Sequence, residues 1–439
     1  MQTAQGKAYQ TVGYSSSTCV GEGNMLLRMK QWNLLVALAV CMGMLMAAQA
    51  GAKSAFEMPV TLKASALLPE ATRKGPLHTV DEVVHNDGYL NIYTVKSPLG
   101  EFKAESTAEL LIRIHEIYAM DAMDKLSSSK AFGDALVQGG KDMVGTVAGT
   151  ITDPLGTITG TFSGVGKMFQ RAGDRLAGNG GGKYDDNMAA SVSGYAGAKR
   201  EYAKAFGVDP YTSNEAVQSR LDRLAQAGFM ANLTTTAAKA AIPGGVGLAV
   251  SAVSGVGTLK DIDVAMPPAD MRRANKEKLE KMGVSKEMTE MFIKNEAFTP
   301  VQQSLLVAAL ADMQGVAGRD AFVHFAIPTS DERLAFFRQR MARMYANYHL
   351  NVEPLERFEA VGQFIAAKTA RGNRLMLFPL DYLLWTPQAD NLLRFFTEDG
   401  KKVGGKVMEL RLGGMASPEA KKQIQALGWK VIELREFMK

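Results

Sequence analysis

With 439 residues, 46% of them hydrophobic and 22% charged, the chain is long enough for roughly two to four structural units with real cores. Its 50 basic residues stand against 45 acidic ones, interleaved along the chain, which excludes the charge footprint of a nucleic-acid-binding protein. Both cysteines, Cys19 and Cys41, precede the processing site described next. The mature chain is therefore expected to lack disulfides, thiol nucleophiles and cysteine metal sites.

Residues 25–50 read as a cleavable secretory signal. Arg28 and Lys30 form a positive start, Leu34 to Met46 an apolar core, and Ala48-Gln49-Ala50 the small residues a signal peptidase needs, so the mature chain begins near Gly51. The apolar core is shorter than the roughly 20 residues of a spanning helix. Residues 1–24 are a polar upstream extension, with the start at Met25 or Met29. Valine before Cys41, in Leu38-Ala39-Val40-Cys41, argues against a lipoprotein site. Loss of Lys7, Arg28, Lys30 and Glu22 lowers the net charge from +5 to +3.

The mature chain predicts an α+β fold, predominantly helical. Residues 51–130 form a β-meander plus helix: Val80 to Val84, Tyr89 to Val95 and Glu101 to Ala104 are strand-like runs separated by turn chemistry, and apolar residues from Thr107 to Leu126 recur at helical spacing. Residues 131–260 form a glycine-rich helical region, with a helix from Met188 stopping at Gly207 and another capped by Ser213 or Asn214. Residues 261–350 are helix upon helix, with Ser285, Thr299 and Ser330 as caps and Gly283 and Gly315 as stops. Residues 351–439 form a small α/β unit. There, Val361 to Thr369 and Arg374 to Leu380 flank a hairpin turn, and Thr386-Pro387 opens a helix to about Phe396. Ser417-Pro418 opens another, lying between the strands Lys406 to Leu412 and Trp429 to Leu434.

The eleven-residue echo of 145–152 in 156–163 keeps Gly145, Gly149, Gly156, Gly160 and Gly164 on one helical face, a small-residue ridge suited to close packing or membrane contact. The same letters also alternate as a β-hairpin about Asp153-Pro154-Leu155-Gly156. Ala240 to Leu259 is uncharged but interrupted by Pro243-Gly244-Gly245, and reads as a buried or membrane-contacting helix.

Catalytic motifs fail on spacing. Gly160 to Lys167 has Thr161 where a phosphate loop needs its first glycine, and Met168 where it needs Ser or Thr. His115-Glu116 has Ala119 where a zinc-protease helix needs its second histidine. Ser127 to Lys130 matches a serine–lysine pattern without its partner motifs. His78, His85, His115, His324 and His349 are scattered. No cofactor and no metal site follows from any of these. Asp381, after the apolar run Leu375 to Leu380, is the catalytic candidate, since a strand end presents it at a rim. The competing reading is a cap or turn residue for the helix near Thr386, in which case Asp381→Ala costs about 1 kcal/mol. Arg333, Arg338, Arg340 and Arg343, with Phe336, Phe337, Tyr345 and Tyr348, read as an amphipathic helix with a solvated arginine face.

Gly207-Val208-Asp209-Pro210-Tyr211-Thr212 and Ser417 to Trp429 resemble exported bacterial proteins of unknown function, a likeness that implies no activity. The sequence therefore predicts an exported protein of the periplasm or cell envelope. It is expected to be non-enzymatic, with glycine-rich segments packing against envelope lipid or an envelope protein. The alternatives are an exported hydrolase or transferase with its site near Asp381, and a soluble binder of an apolar ligand.

Overall fold

The computed structural model describes residues 56–130, 132–133, 183–185, 194–231 and 262–436. The glycine ridge at Gly145, Gly149, Gly156, Gly160 and Gly164, the stretch Ala240 to Leu259 and the export segment lie outside them. Glu57–Lys439 is one compact unit of mixed helix and sheet, α+β in class.

The N-terminal sheet is built on β5 (Asn91–Ser97). Strand β6 (Gly100–Ala104) pairs antiparallel along one edge, from Tyr93↔Ala104 to Ser97↔Gly100. The expected first strand is present on the other edge but breaks at Asp81-Glu82 into β3 (His78–Val80) and β4 (Val83–Asn86), both paired to β5. Two pieces the meander did not foresee extend it: β1 (Thr61–Lys63) beside β4 and β2 (Lys74–Gly75) beside β3, joined by the one-turn helices α1 (Ala64–Leu67) and α2 (Glu70–Arg73).

Helix α3 (Thr107–Ser127) follows, with Ser106 accepting from the Glu109 N–H at 3.1 Å as its cap. Leu110, Ile114, Ile117, Met120 and Met123 bury one face against Val84, Tyr93 and Val95 of the sheet. Tyr202 and Phe206 of α4 (Tyr195–Phe206) and Val217 and Leu221 of α5 (Glu215–Ala231) belong to the same core. Gly207, with φ +67°, ends α4. Helices α6 (Pro268–Lys281), α7 (Lys286–Ile293), α8 (Pro300–Asp312), α9 (Arg319–Ala326) and α10 (Glu332–Asn351) come next. Ser285 and Thr299 cap α7 and α8 as expected, while α10 is capped by Asp331 rather than its neighbour Ser330.

The C-terminal sheet runs in the order β13-β11-β9-β8-β7. Strands β9 (Arg374–Phe378), β11 (Met408–Leu412) and β13 (Trp429–Glu433) are parallel, joined through α11 (Pro387–Val403) and α12 (Pro418–Ala426); β8 (Phe364–Thr369) and β7 (Leu355–Val361) add antiparallel. Strand β9 is buried at all five positions, as a central strand covered on both faces must be. Tyr345 of α10, fully buried, packs edge-on against Phe322 and Phe358 and accepts from the Leu377 N–H at 3.3 Å. The short strands β10 (Tyr382–Leu383) and β12 (Met415–Ala416) pair parallel as a separate two-stranded sheet.

The two sheets are stitched through residues 86–91 and 381–386. The Asp381 and Tyr382 N–H groups donate to the Tyr89 carbonyl at 3.0 and 3.2 Å, the Leu384 N–H to Gly88 at 2.9 Å, and the Asn86 amide to Tyr382 at 3.1 Å.

Glycine positions offer a direct check on the packing. Gly318 (φ +70°) lies so close to β7 that an added Cβ would sit 2.6 Å from the Phe358 carbonyl oxygen, whereas Gly197 within α4 meets nothing within 4 Å. Gly318→Ala should therefore cost about 1–3 kcal/mol through strain and overpacking. Gly197→Ala should gain about 0.5–1 kcal/mol from helix propensity. Paired melting curves in denaturant would check both signs.

Candidate functional site

The described structure gathers its polar functional groups around His115-Glu116 on α3. His115 is 3% exposed, and its Nε2 meets the carbonyl oxygens of Phe206 and Gly207 at 3.1 and 2.9 Å. That geometry makes Nε2 the protonated nitrogen and leaves Nδ1, buried, as an acceptor without a hydrogen-bond partner. Burial keeps the ring neutral by lowering its pKa, against the two carbonyl contacts.

Glu116, 1% exposed, accepts from Thr212 Oγ1 at 2.7 Å, from Asn214 Nδ2 at 2.8 Å and from Arg113 at 2.7 Å; Arg113 also pairs with Glu109 at 2.9 Å. The segment Gly207 to Asn214 is thus held onto α3 by one carboxylate and one imidazole. Asn214 also accepts from the Ala216 N–H at 3.1 Å, capping α5 as expected. Within this segment Asp209 accepts from the Tyr211 N–H at 2.8 Å and from the Thr299 hydroxyl at 2.9 Å. The residue keeps some solvent contact, yet its carboxyl is densely surrounded. Loss of solvation, with Glu332 and Glu116 adding to it against those hydrogen bonds, pushes its pKa up to about 7.

Glu109, Arg113, His115, Glu116, Asp209 and Thr212 line a cavity of about 320 Å³ between α3, the 207–213 segment, the start of α8 and one face of α10. From α10 come Glu332, Phe336, Phe337, Gln339 and Arg340. Gln339 is 1% exposed, and its Nε2 has no hydrogen-bond partner. The expected solvated arginine face of α10 holds for Arg333, which is exposed, but Arg343 is half-buried and Arg338 and Arg340 are buried. Arg338 lies over the Phe325 ring at 4.6 Å and donates to Thr329 at 2.6 Å, and Arg340, 4% exposed, pairs with Glu436 at 2.8 Å. Their partners are Phe325 at the end of α9, Thr329 just after it and Glu436, which spacing along α10 does not reveal.

A second cavity, of about 410 Å³, adjoins the first at Leu90, Arg333 and Phe337, which line both. Its wall is apolar. Phe364, Phe378 and Leu412 come from the C-terminal sheet, Leu392, Leu393 and Phe396 from α11, and Leu334 and Phe337 from α10. Phe364 packs edge-on to Phe396 at 5.1 Å, and Phe378 stacks on Phe396 at 6.1 Å.

Asp381 lies in neither wall. It is 6% exposed, and its Oδ2 accepts from the Asn91 N–H at 3.0 Å and the Thr107 N–H at 2.9 Å. The helix after it is capped by Thr386, which accepts from the Ala389 N–H at 3.2 Å. Asp381 therefore does not cap the helix near Thr386; it accepts the first N–H of α3, 274 residues earlier, beside that helix's own cap Ser106. Burial raises its pKa, opposed by the two N–H bonds and the nearby Arg340.

Among the described residues no three His, Asp or Glu side chains are arranged to hold a metal ion, and no helix is long and apolar enough to cross a membrane. No family model, curated protein or solved structure matches the chain.

Proposed function

We propose that this is an exported cell-envelope protein that binds a small molecule with an apolar chain and performs no chemistry on it. The observation that carries the reading is the Phe- and Leu-lined cavity adjoining a polar one. Pockets of roughly 300–1,000 Å³, mostly apolar with a few converging polar groups, are the usual form of a small-molecule site. Export rests on the signal-like segment before Gly51. The glycine ridge from Gly145 to Gly164 supplies a contact surface for envelope lipid or an envelope protein in the same reading.

The test is binding of an apolar fluorescent dye and its displacement by dodecanol. Ala389, 2% exposed in the wall contributed by α11, is the site to fill. Ala389→Phe should weaken dye binding about tenfold or more, equivalent to 1.4 kcal/mol or more, with a native-like unfolding transition. Undiminished binding in a folded Ala389→Phe protein would sink the assignment of the cavity.

A second reading, an exported hydrolase, is favoured by one observation: a carboxyl poised near pH 7 at Asp209. Mass spectrometry of dodecyl acetate recovered after incubation separates the two, since a hydrolase splits it with water into dodecanol and acetate and a binder returns the ester intact.

A further inference from the structure

We infer that the polar cavity receives a protonated amine, so that the ligand is an amphipathic amine with its chain in the apolar cavity; this rests on the binding reading above. Five carboxylates line the polar cavity, Glu105, Glu109, Glu116, Asp209 and Glu332, against three guanidiniums, Arg113, Arg333 and Arg340. The guanidiniums are already engaged: Arg113 by Glu109 and Glu116, Arg333 by Glu105 at 3.0 Å, and Arg340 by Glu436 from outside the cavity. Among the described residues no cation forms an ion pair with Asp209 or Glu332.

An acidic cluster alone can be a scaffold, and Glu116 does hold the 207–214 segment in place. Scaffolding does not account for Gln339 and His115. Both are more than nine-tenths buried, both line the cavity, and each keeps an unpartnered atom, a donor Nε2 on Gln339 and an acceptor Nδ1 on His115. An ammonium N–H can donate to His115 Nδ1, whereas Gln339 Nε2, itself a donor, needs an acceptor elsewhere on the ligand. Phe336 and Phe337 add aromatic rings to the same wall, surroundings that an ammonium group tolerates. An anionic head would meet uncompensated carboxylates and is disfavoured. Continuity with the apolar cavity at Leu90, Arg333 and Phe337 then sets where the chain leaves the head.

The experiment compares three ligands of one chain length on the full chain at pH 8, below their micelle concentrations: dodecylammonium, dodecanol and dodecanoate, each displacing the dye. Dodecylammonium should bind about tenfold or more tighter than the other two, and Asp209→Asn and Glu332→Gln should each remove most of that preference. Equal affinity for the three, or preference for dodecanoate, would overturn the amine assignment and leave chain binding standing. A preference that survives the double variant would overturn it too. Failure of all three to bind would remove both readings together.

Discussion

Asp381→Ala should be among the most damaging single substitutions in the protein, costing about 3–5 kcal/mol. One oxygen of this buried carboxyl accepts both the Asn91 and Thr107 N–H groups. Truncation leaves two buried donors unpaired, at about 1–3 kcal/mol each. It also removes the negative charge nearest the buried Arg340 apart from Glu436. Asp381→Asn should behave differently, within about 1–2 kcal/mol of the parent. A single amide oxygen can accept both N–H groups, the amide nitrogen faces the Thr107 hydroxyl, and the burial that raises the carboxyl's pKa favours a neutral group. Denaturant melts of the two variants would check this. An Ala variant as stable as the Asn variant would show that the two N–H bonds contribute little. A fully folded Asn variant without ligand binding or cellular function would instead put chemistry on Asp381.

Asp209→Asn should stabilise the protein at alkaline pH. A carboxyl whose pKa rises from 3.8 to about 7 on folding holds its stabilising protonated form below pH about 4 and loses that contribution as pH climbs through about 7. At about 1.4 kcal/mol per pKa unit the full linkage approaches ~4 kcal/mol, and the residue's remaining solvent contact brings the expectation down to about 2. The amide keeps the Tyr211 N–H bond through its oxygen and can donate to the Thr299 hydroxyl, which the carboxylate accepts from. The variant should therefore melt above the parent at pH 8, and the gap should narrow steadily below pH 7 and close near pH 4. Asp381 and Glu436 are also shifted upward by burial, so the parent's own pH profile is composite; the difference between variant and parent isolates Asp209. A gap that does not change with pH would mean the carboxyl titrates normally.

Local chemistry was legible where it is self-contained. Thr299-Pro300, Thr386-Pro387 and Ser417-Pro418 each place a side-chain oxygen and a fixed φ at a helix start, and all three open helices. Gly372 and Gly428 turn the chain with φ +84° and +88° where glycine was expected to do so. Strand β7 escaped because only one other strand pairs with it and it carries Glu356, Arg357 and Glu359, and its register shifts between Leu355 and Arg357, which destroys the alternation that marks a strand. Ser330 and Asp331 are both good caps, and only the backbone decides which faces Leu334. The candidate site was nearly invisible for a different reason. His115-Glu116 and Gly207 to Thr212 each stood out, but as unrelated fragments. Their contacts, such as Glu116 to Thr212 across 96 residues, have no periodicity to betray them. Likewise Asp381 drew attention as a polar residue ending an apolar strand, while its partners lie 290 and 274 residues upstream.

That separation also sets an order of events during synthesis. The loop from Asn86 to Asn91 and the first turn of α3 emerge long before Asp381 exists to accept their N–H groups. At about 5–20 residues per second the wait is roughly 15–60 s, far longer than a hairpin or a helix needs to form. In that interval the N-terminal sheet lacks the 381–386 segment to which it is stitched, and the apolar cavity lacks the walls that α11 and the C-terminal sheet supply. The nascent chain is thus a natural client for a holding chaperone. Truncation anywhere before Asp381 should leave the early half open to proteolysis as well as shorten the protein.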